Sequence, residues 1–292
     1  MTVLEAIQKS TDFLGKKKVE SPRLHTELLL AHLLQLPRMK LYLNFDRVLS
    51  APETDALREL VKRRGAREPL QHIVGSTSFC GLDLTVSRHA LIPRPETELL
   101  AEQGWEFLLA RSTPAGTAPN ALDFGTGTGC LAIALAVKCP AAAITALDIS
   151  APALALAQAN AAKNQVAQRI QFLSGDGFAA LAEAGAASAR VFDLIISNPP
   201  YIPSAEIATL DPEVRDFDPR SALDGGTDGL DFYRTLAAQA QKFLQPGGKI
   251  MLEFGDGQAN AIKTLFTGQN WIVEAIKADY SQRARIMIAH PA

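Results

Sequence analysis

Residues 121–149 read ALDFGTGTGCLAIALAVKCPAAAITALDI, in which two short apolar runs flank a glycine-rich loop and a longer apolar segment. The runs at 121–125 and 143–149 have the length of buried strands, and residues 130–139 have the length of a helix. A strand, a helix and a second strand in this order form the repeating unit of proteins with a parallel sheet.

The same alternation continues toward the C-terminus. Apolar runs that predict further strands lie at 170–176, 192–198 and 248–254, and helical patterns lie at 151–164 and 229–244. Short apolar runs at 260–266, 271–276 and 285–290 complete the set. We therefore expect an α/β fold, with an open and mostly parallel sheet that carries helices on both faces.

The residues before this region follow other patterns. Apolar residues at helical spacing predict a small N-terminal helical bundle over residues 1–70. Residues 71–92 alternate and contain turn glycines, so we interpret them as a β-hairpin linker. The third predicted domain, residues 93–292, starts with a helix and contains the sheet. Residues 111–120 are interpreted as a turn-rich loop, and the Ala-rich residues 179–190 as a surface helix or loop.

Composition excludes several classes of protein. The chain has 292 residues, 47% of them apolar and 21% charged, which argues against disorder. We find no apolar run long enough to cross a membrane and no secretory signal. The three cysteines have no C-x-x-C spacing, which argues against a disulfide framework and a zinc site. We expect a cytoplasmic protein without a metal, and a monomer.

Charge is unevenly distributed along the chain. Residues 1–70 hold 13 basic against 9 acidic side chains, whereas residues 71–292 hold 16 against 22. The basic front could contact an acidic partner, or it could consist of ordinary solvated helix faces. The best candidates for a contact patch are Arg58, Lys62, Arg63, Arg64 and Arg67.

The glycine-rich loop between the first strand and its helix is a candidate nucleotide site. Glycines at 125, 127 and 129 let the backbone turn tightly and approach a ligand. Asp148 ends the next strand and could accept hydrogen bonds from ribose hydroxyls, while Asp176 follows the third strand and could accept from an adenine amino group. The candidate binding residues are Gly125, Thr126, Gly127, Thr128, Gly129, Asp148, Asp176 and Gly177.

The spacing of the loop bears on the choice of cofactor. Dinucleotide sites favour G-x-G-x-x-G, which holds a pyrophosphate at a helix N-terminus. Here the spacing is G-x-G-x-G, and Asp123 precedes it. An acid beside the loop would repel pyrophosphate but would suit a ligand with an ammonium and a sulfonium group. We therefore favour S-adenosylmethionine.

The fourth strand ends in the sequence SNPPYIP, which is unusual for a strand end. Two prolines without N–H groups keep the loop extended and expose carbonyl oxygens. The side-chain oxygen of Asn198 and the carbonyl of Pro199 could accept both hydrogens of one NH₂ group, and Tyr201 could pack on a planar substrate. Such a clamp would aim the nitrogen lone pair at a methyl donor, so that catalysis comes from positioning and hydrogen bonding.

The motifs REPLQHIVG, LIPRPETE, DFGTGTG, SNPPYI and PRSALDGGTDGLDFYR occur here in that order. Together they resemble the HemK-type N5-glutamine methyltransferases that modify class I peptide chain release factors. The resemblance covers nearly the whole chain. It implies a seven-stranded Rossmann-like class I methyltransferase sheet whose last strand is antiparallel. It also implies that residues 1–70 contact the release factor and that the target is the glutamine of its Gly-Gly-Gln motif.

The resemblance also implies roles for residues. S-adenosylmethionine, converted to S-adenosylhomocysteine, would contact residues 125–129, Asp148, the turn at Asp176–Gly177 and Asn198. The substrate amide would be held by Asn198 and Pro199, with Pro200 and Tyr201 lining its pocket. At Gly177 many members have an aromatic residue, so Phe178 could make the adenine contact instead.

Two further interpretations concern neighbouring motifs. Arg94 and Glu96 of LIPRPETE could order that segment over the cofactor, with Thr97 capping the next helix. The loop PRSALDGGTDGLD is interpreted as an ordered loop near the active site and not as a metal site.

The motif NPPY is shared with adenine-N6 methyltransferases of nucleic acids, which stack a flipped base on an aromatic ring. This alternative requires a basic groove for phosphates. The balance of 16 basic against 22 acidic residues over 71–292 disfavours it. We therefore expect no direct nucleic-acid substrate.

Overall fold

The computed structural model describes residues 1–112, 118–183 and 192–292. The middle of the predicted loop at 111–120 and the end of the Ala-rich segment at 179–190 lie outside these residues. The chain forms two compact units. The helical unit comprises Met1–Ser76 and Leu210–Phe217, and the sheet unit comprises Thr77–Thr209 and Asp218–Ala292.

Two of the longer helices of the helical unit, the first and the fourth, start with a complete capping box. The side chains of Thr2 and Ser50 each accept a hydrogen bond from the backbone N–H of the glutamate three residues on, and the carboxylate of that glutamate accepts one from the backbone N–H of the cap residue. Leu29, Leu30 and Leu57 lie in its buried apolar core. Its helices are α1 (Val3–Lys16), α2 (Pro22–Leu34), α3 (Arg38–Leu41), α4 (Ala51–Gly65), α5 (Leu70–Val74) and α10 (Pro212–Arg215).

The segment Leu210–Phe217 is attached to the helical unit by ion pairs. Arg64 donates to one carboxylate oxygen of Glu213 at 2.7 Å, and Arg67 donates to the other at 2.8 Å. The Arg64 side chain is only 4% exposed. Sequence patterns did not predict this attachment, because α10 lies far along the chain from α4.

The ion pairs also change the interpretation of the basic cluster. All five of its cations pair with acids of their own unit: Arg58–Asp55, Lys62–Glu59, Arg63–Glu68, Arg64–Glu213 and Arg67–Glu213. Arg64 and Arg67 therefore belong to an internal network, whereas Arg58, Lys62 and Arg63 carry ion pairs at the surface and stay exposed.

The sheet unit contains one seven-stranded sheet, as the sequence predicts. Its order is β5-β4-β3-β6-β7-β9-β8, and β9 runs antiparallel to both of its neighbours. The strands are β3 (Asn120–Phe124), β4 (Ala143–Asp148), β5 (Ile170–Ser174), β6 (Phe192–Ser197), β7 (Leu244–Glu253), β8 (Trp271–Ala278) and β9 (Ala284–Pro291).

Helices cover both faces of this sheet and bury two apolar clusters against it. They are α6 (Pro95–Arg111), α7 (Cys130–Lys138), α8 (Ala151–Lys163), α9 (Gly177–Glu183), α11 (Asp231–Gln239) and α12 (Ala259–Thr267). Every residue of strand β6 is buried. The predicted alternation of strands and helices is confirmed.

Two boundaries differ from the sequence prediction. The hairpin is shorter than residues 71–92: it consists of β1 (Ser76–Phe79) and β2 (Leu82–Thr85), while Leu70–Val74 is helical after Pro69. Strand β7 begins at Leu244 and runs through Pro246 and two glycines, which sequence patterns mark as a turn. A register shift between β6 and β7 accommodates them, as is usual for proline and glycine inside a strand.

Candidate active site

A cavity of about 500 Å³ lies in the sheet unit at the carboxyl ends of the parallel strands. Open α/β sheets bind their ligands at this edge. The predicted residues that line the cavity are Gly125, Gly127, Asp148, Asp176, Gly177, Asn198 and Pro200. The structure therefore brings the glycine loop, the two acids and the start of NPPY to one site.

The glycine loop gives the cavity a backbone wall. Gly125 and Gly127 have φ values of +77° and +55°, which glycine adopts without the steric cost that a side chain would add. A Cβ atom at Gly125 would meet no atom within 4 Å. A side chain there would occupy the cavity itself, so the glycine leaves room for a ligand against the backbone.

Asp148 fixes this loop and still faces the cavity. One carboxylate oxygen accepts from the backbone N–H of Gly127 at 2.8 Å, and the other accepts from Ser150 at the same distance. Each oxygen keeps a further lone pair for a ligand. A donor pair such as the two hydroxyls of a ribose fits this arrangement.

Three of the predicted loop residues do not line the cavity. Thr126 is buried and donates its hydroxyl to Asp123 at 2.6 Å. The carbonyl of Thr128 accepts from Asn160, and Gly129 is the N-cap of α7. These residues build the loop.

Asp123 also builds the loop, and it makes stability depend on pH. Burial raises the pKa of its carboxyl from 3.8 to about 7, although Thr126 and the Ala132 N–H donate to it. Folding therefore takes up a proton between these two values. The stabilisation is complete below pH 3.8 and is lost as pH rises through about 7.

We expect the free energy of unfolding of the unliganded protein to fall with rising pH across this window. Urea unfolding at several pH values between about 4 and 8 measures the slope. Asp123→Asn should remove part of it, because Glu253 and Asp218, whose pKa values are also raised, contribute with the same sign. The exposed Asp83→Asn serves as the control and should keep the full slope. An unchanged slope in Asp123→Asn would contradict the assignment.

The end of β5 supplies the far wall of the cavity. Asp176 is exposed and Gly177 has a φ of +51° at the start of α9. Phe178 touches the cavity, but only 4% of it is exposed, and its ring stacks on Phe243 with centroids 5.0 Å apart. Most of the Phe178 ring is therefore committed to the core.

Asn198 follows β6 and has a defined orientation. Its amide nitrogen donates to the hydroxyl of Thr97 at 3.1 Å, and its oxygen accepts no hydrogen bond from the described residues. Pro200 lines the cavity beside it, whereas Pro199 and Tyr201 are absent from the cavity wall. The structure thus presents one free acceptor oxygen at the edge of the cavity.

The loop that contains NPPY is held by residues 223–229 of the PRSALDGGTDGLD loop, which is ordered as the sequence predicts. The N–H of Ile202 donates to Leu223, and the N–H of Gly225 donates back to Ile202, both at 2.9 Å. A Cβ atom at Gly229 would lie 2.3 Å from the Tyr201 carbonyl oxygen. Gln258 donates to the same oxygen at 2.9 Å. Close backbone packing therefore explains these glycines.

The LIPRPETE segment differs from its prediction at the start of α6. Arg94, and not Thr97, is the N-cap of α6, and it makes no side-chain capping bond. Its guanidinium instead pairs with the buried Asp218 at 2.7 Å. Thr97 lies in the first turn, 2% exposed, and receives the Asn198 amide. The interpretation of Thr97 as a cap was wrong because Pro95 occupies the first helical position.

Sequence patterns missed several residues of the site. Ile149 follows Asp148 and is 67% exposed, which is unusual for isoleucine. His89 also lines the cavity. One face of α11 contributes Phe232, Thr235 and Gln239. Their spacing of three and four residues is the only available signal, and it does not distinguish a cavity wall from an ordinary helix face.

No group of three or more metal-ligating side chains is present among residues 1–112, 118–183 and 192–292. In the same ranges no helix is long and apolar enough to span a membrane.

Comparison with known proteins supports a relationship over most of the chain. Residues 5–75 match the family described as PrmC N-terminal domain, and residues 101–210 match the family described as methyltransferase small domain. A release factor glutamine methyltransferase of Geobacter sulfurreducens is 44% identical over 91% of this chain and 88% of its own length. One of Chlorobaculum tepidum is 40% identical over 97% of this chain and 95% of its own.

Solved structures show the same fold. The N-terminal domain of human METTL16, solved in complex with SAH, aligns with a TM-score of 0.51 over 82% of each chain. At 15% sequence identity this likeness concerns the fold alone.

Proposed function

The chain belongs to the family of release factor glutamine methyltransferases, and from this premise we propose that it methylates the side-chain amide nitrogen of the glutamine in the Gly-Gly-Gln motif of class I peptide chain release factors. The observation that carries the proposal is the free oxygen of Asn198 at the edge of the cavity, with its amide nitrogen already bound to Thr97.

An amide nitrogen is a poor nucleophile because its lone pair is delocalised into the carbonyl. In our proposal the Asn198 oxygen and the Pro199 carbonyl accept the two N–H bonds of the substrate amide. These hydrogen bonds favour a pyramidal nitrogen and strengthen as positive charge develops on it. The nitrogen then releases one proton to solvent. Tyr201, whose pKa is raised by burial, would line the substrate side of the loop in its neutral form.

The cavity fits S-adenosylmethionine by the chemistry of its walls. We propose that Gly125 and Gly127 contact the methionine part through their backbone, that Asp148 binds the ribose, and that Asp176 and Gly177 contact the adenine. The exposed Ile149 offers an apolar surface to the adenine ring. When bound, S-adenosylmethionine supplies a methyl group on a sulfonium, which is transferred as the carbon–sulfur bond breaks.

Mass analysis of the release-factor Gly-Gly-Gln peptide tests the function. The protein is incubated with labelled S-adenosylmethionine and either a release factor or duplex DNA containing adenine. We expect the mass of one methyl group on the glutamine, and no label in the DNA. Label in DNA alone would favour an adenine-N6 methyltransferase and would overturn the proposal. A release factor in which the glutamine is replaced by alanine is the matched control and should remain unlabelled.

We further propose that the helical unit docks the release factor. Its surface around α3 exposes Met39, Leu43 and Val48 at 71%, 77% and 67%, which is unusual for large apolar side chains. The cation Lys40 lies in the same stretch of sequence, as does Arg47, which pairs with Glu53. An apolar patch with positive charges suits a protein surface with apolar and acidic side chains.

The double substitution Met39→Ser and Leu43→Ser should raise the KM for the release factor roughly 30-fold, since losing such anchors costs about 1 kcal/mol each and every 1.4 kcal/mol is tenfold. The value of kcat at saturation should stay the same, because the catalytic residues are untouched. Steady-state kinetics with the intact release factor measure both constants. Ile272→Ser, an exposed apolar residue of the sheet unit, is the control. Equal effects of the two changes would argue against docking at α3.

A further inference from the structure

We infer that Thr97 and Glu253 set the orientation of the Asn198 side chain and thereby act as positioning residues for the methyl transfer. This inference rests on the proposed function, because it concerns the amide that we assign to the substrate. All three residues belong to the sheet unit: Asn198 follows β6, Thr97 is in the first turn of α6, and Glu253 ends β7.

The three side chains form a chain of contacts that reaches the cavity at Asn198 and is closed to solvent at Thr97 and Glu253. The Asn198 nitrogen donates to the Thr97 hydroxyl at 3.1 Å. The Thr97 hydroxyl also interacts with the Glu253 carboxyl and lowers its pKa against the larger effect of burial. Thr97 and Glu253 are only 2% and 1% exposed. Water therefore cannot substitute for any of these contacts without a rearrangement.

The direction of the hydrogen bonds follows from the chemistry of the groups. A hydroxyl has one hydrogen to donate, and an ionised carboxylate can only accept. Above the Glu253 pKa of about 7 the carboxyl is ionised, and when Thr97 then donates to it, the Thr97 oxygen can only accept from Asn198. The carboxamide must then turn its NH₂ group toward Thr97 and its oxygen away from it. This is the orientation that the structure shows.

The orientation matters because the two ends of a carboxamide differ. The substrate amide brings two N–H donors, so the clamp needs two acceptors. With the Asn198 side chain reversed, its NH₂ group would face the NH₂ group of the substrate, and no hydrogen bond could form. The same donors and acceptors would also favour glutamine over glutamate as the substrate, since a carboxylate offers no N–H bonds.

The state of Glu253 indicates that this carboxyl is kept for a purpose other than packing. Its Oε2 atom is buried and has no hydrogen-bond partner among the described residues. A buried polar atom without a partner costs roughly 1–3 kcal/mol, so an apolar side chain would be more stable there. Burial raises the pKa of the carboxyl to about 7, and the groups that act on it are Thr97, Arg285, Glu96 and Arg94.

Three variants test the inference by kinetics. Thr97→Val keeps the shape of the side chain and removes the hydroxyl, and Glu253→Gln replaces the acceptor with a group that can also donate. Both should lower kcat about 10²-fold, as for loss of an oriented catalytic hydrogen bond, with KM for the release factor and affinity for S-adenosylhomocysteine changed less than about 3-fold. Thr97→Ser keeps the hydroxyl and should restore most of the rate. Wild-type kcat in Thr97→Val, or equal losses in the valine and serine variants, would overturn the inference.

A second measurement does not depend on the reaction. The side-chain NH₂ signals of Asn198 are assigned by NMR as those that disappear in Asn198→Ala. We expect them to shift in Thr97→Val and to remain near the wild-type positions in Thr97→Ser. Unchanged signals in Thr97→Val would overturn the inference even if the variant were inactive. Shifted signals in a protein that methylates no release factor would instead contradict the proposed function alone.

Discussion

Replacing Asn198 with alanine is expected to lower kcat for release-factor methylation about 10²- to 10³-fold, the range found for loss of one oriented transition-state hydrogen bond. The side-chain oxygen of Asn198 is the acceptor that no described residue uses. Its hydrogen bond to the substrate should strengthen as charge develops on nitrogen, so its loss should affect turnover more than binding. Single-turnover rates with labelled cofactor, and calorimetry with S-adenosylhomocysteine, separate the two effects.

The matched control for this experiment is Asn164→Ala. The Asn164 side chain also donates to other residues, namely the carbonyls of Asp83 and Asn160, but it does not line the cavity. It should lower stability slightly and leave kcat within about 2-fold of wild type. If Asn198→Ala kept a tenth or more of the wild-type kcat, Asn198 could not be the main acceptor for the substrate.

The second large effect is expected from Gly229→Ala. Its Cβ atom would lie 2.3 Å from the Tyr201 carbonyl oxygen, so the NPPY loop must move by roughly 1 Å. A displacement of this size near a reacting group can cost about 10²-fold in rate. The expected result is a loss of kcat of that order in a protein that is still folded.

Gly81→Ala provides the control for backbone strain. Gly81 has a φ of +77°, against +76° at Gly229, so alanine should meet the same conformational cost at both positions. At Gly81, however, the added Cβ would meet no atom within 4 Å. Thermal unfolding and initial rates are measured for both variants. Similar losses of rate in both would show that strain, and not the position of the NPPY loop, is responsible.

Most of the fold follows from periodicity in the sequence. Runs such as 121–125 and 192–198 are apolar and short, and each is followed by a loop with glycine or proline, which predicts buried parallel strands. The number of strands and the antiparallel course of the last one were implied by the family resemblance and are confirmed, whereas the order of the strands was not predicted. Strand β7 begins four residues before its predicted start. The sequence of Pro246 and the two glycines after it is typical of a turn, and only the pairing with β6 shows that these residues belong to the strand.

The site was only partly predictable. Residues at the carboxyl ends of parallel strands, such as Asp148 and Asn198, must lie at one edge of the sheet whatever the details, and both line the cavity. The supports of that site come from elsewhere in the chain. Thr97 precedes Asn198 by 101 residues and Gln258 follows Tyr201 by 57. No local pattern predicts such contacts, because they depend on how the helices pack on the sheet.

The attachment of Leu210–Phe217 to the helical unit limits how this protein can be divided. The backbone passes between the two units three times, after Ser76, after Thr209 and after Phe217. A chain that lacks residues 1–76 would leave Glu213 without either arginine. An isolated fragment 1–76 would leave both arginines without their acid. Homologous proteins could therefore exchange the N-terminal unit only together with the eight-residue insert Leu210–Phe217. Chimaeras should have three junctions, one after Ser76 and one on each side of the insert.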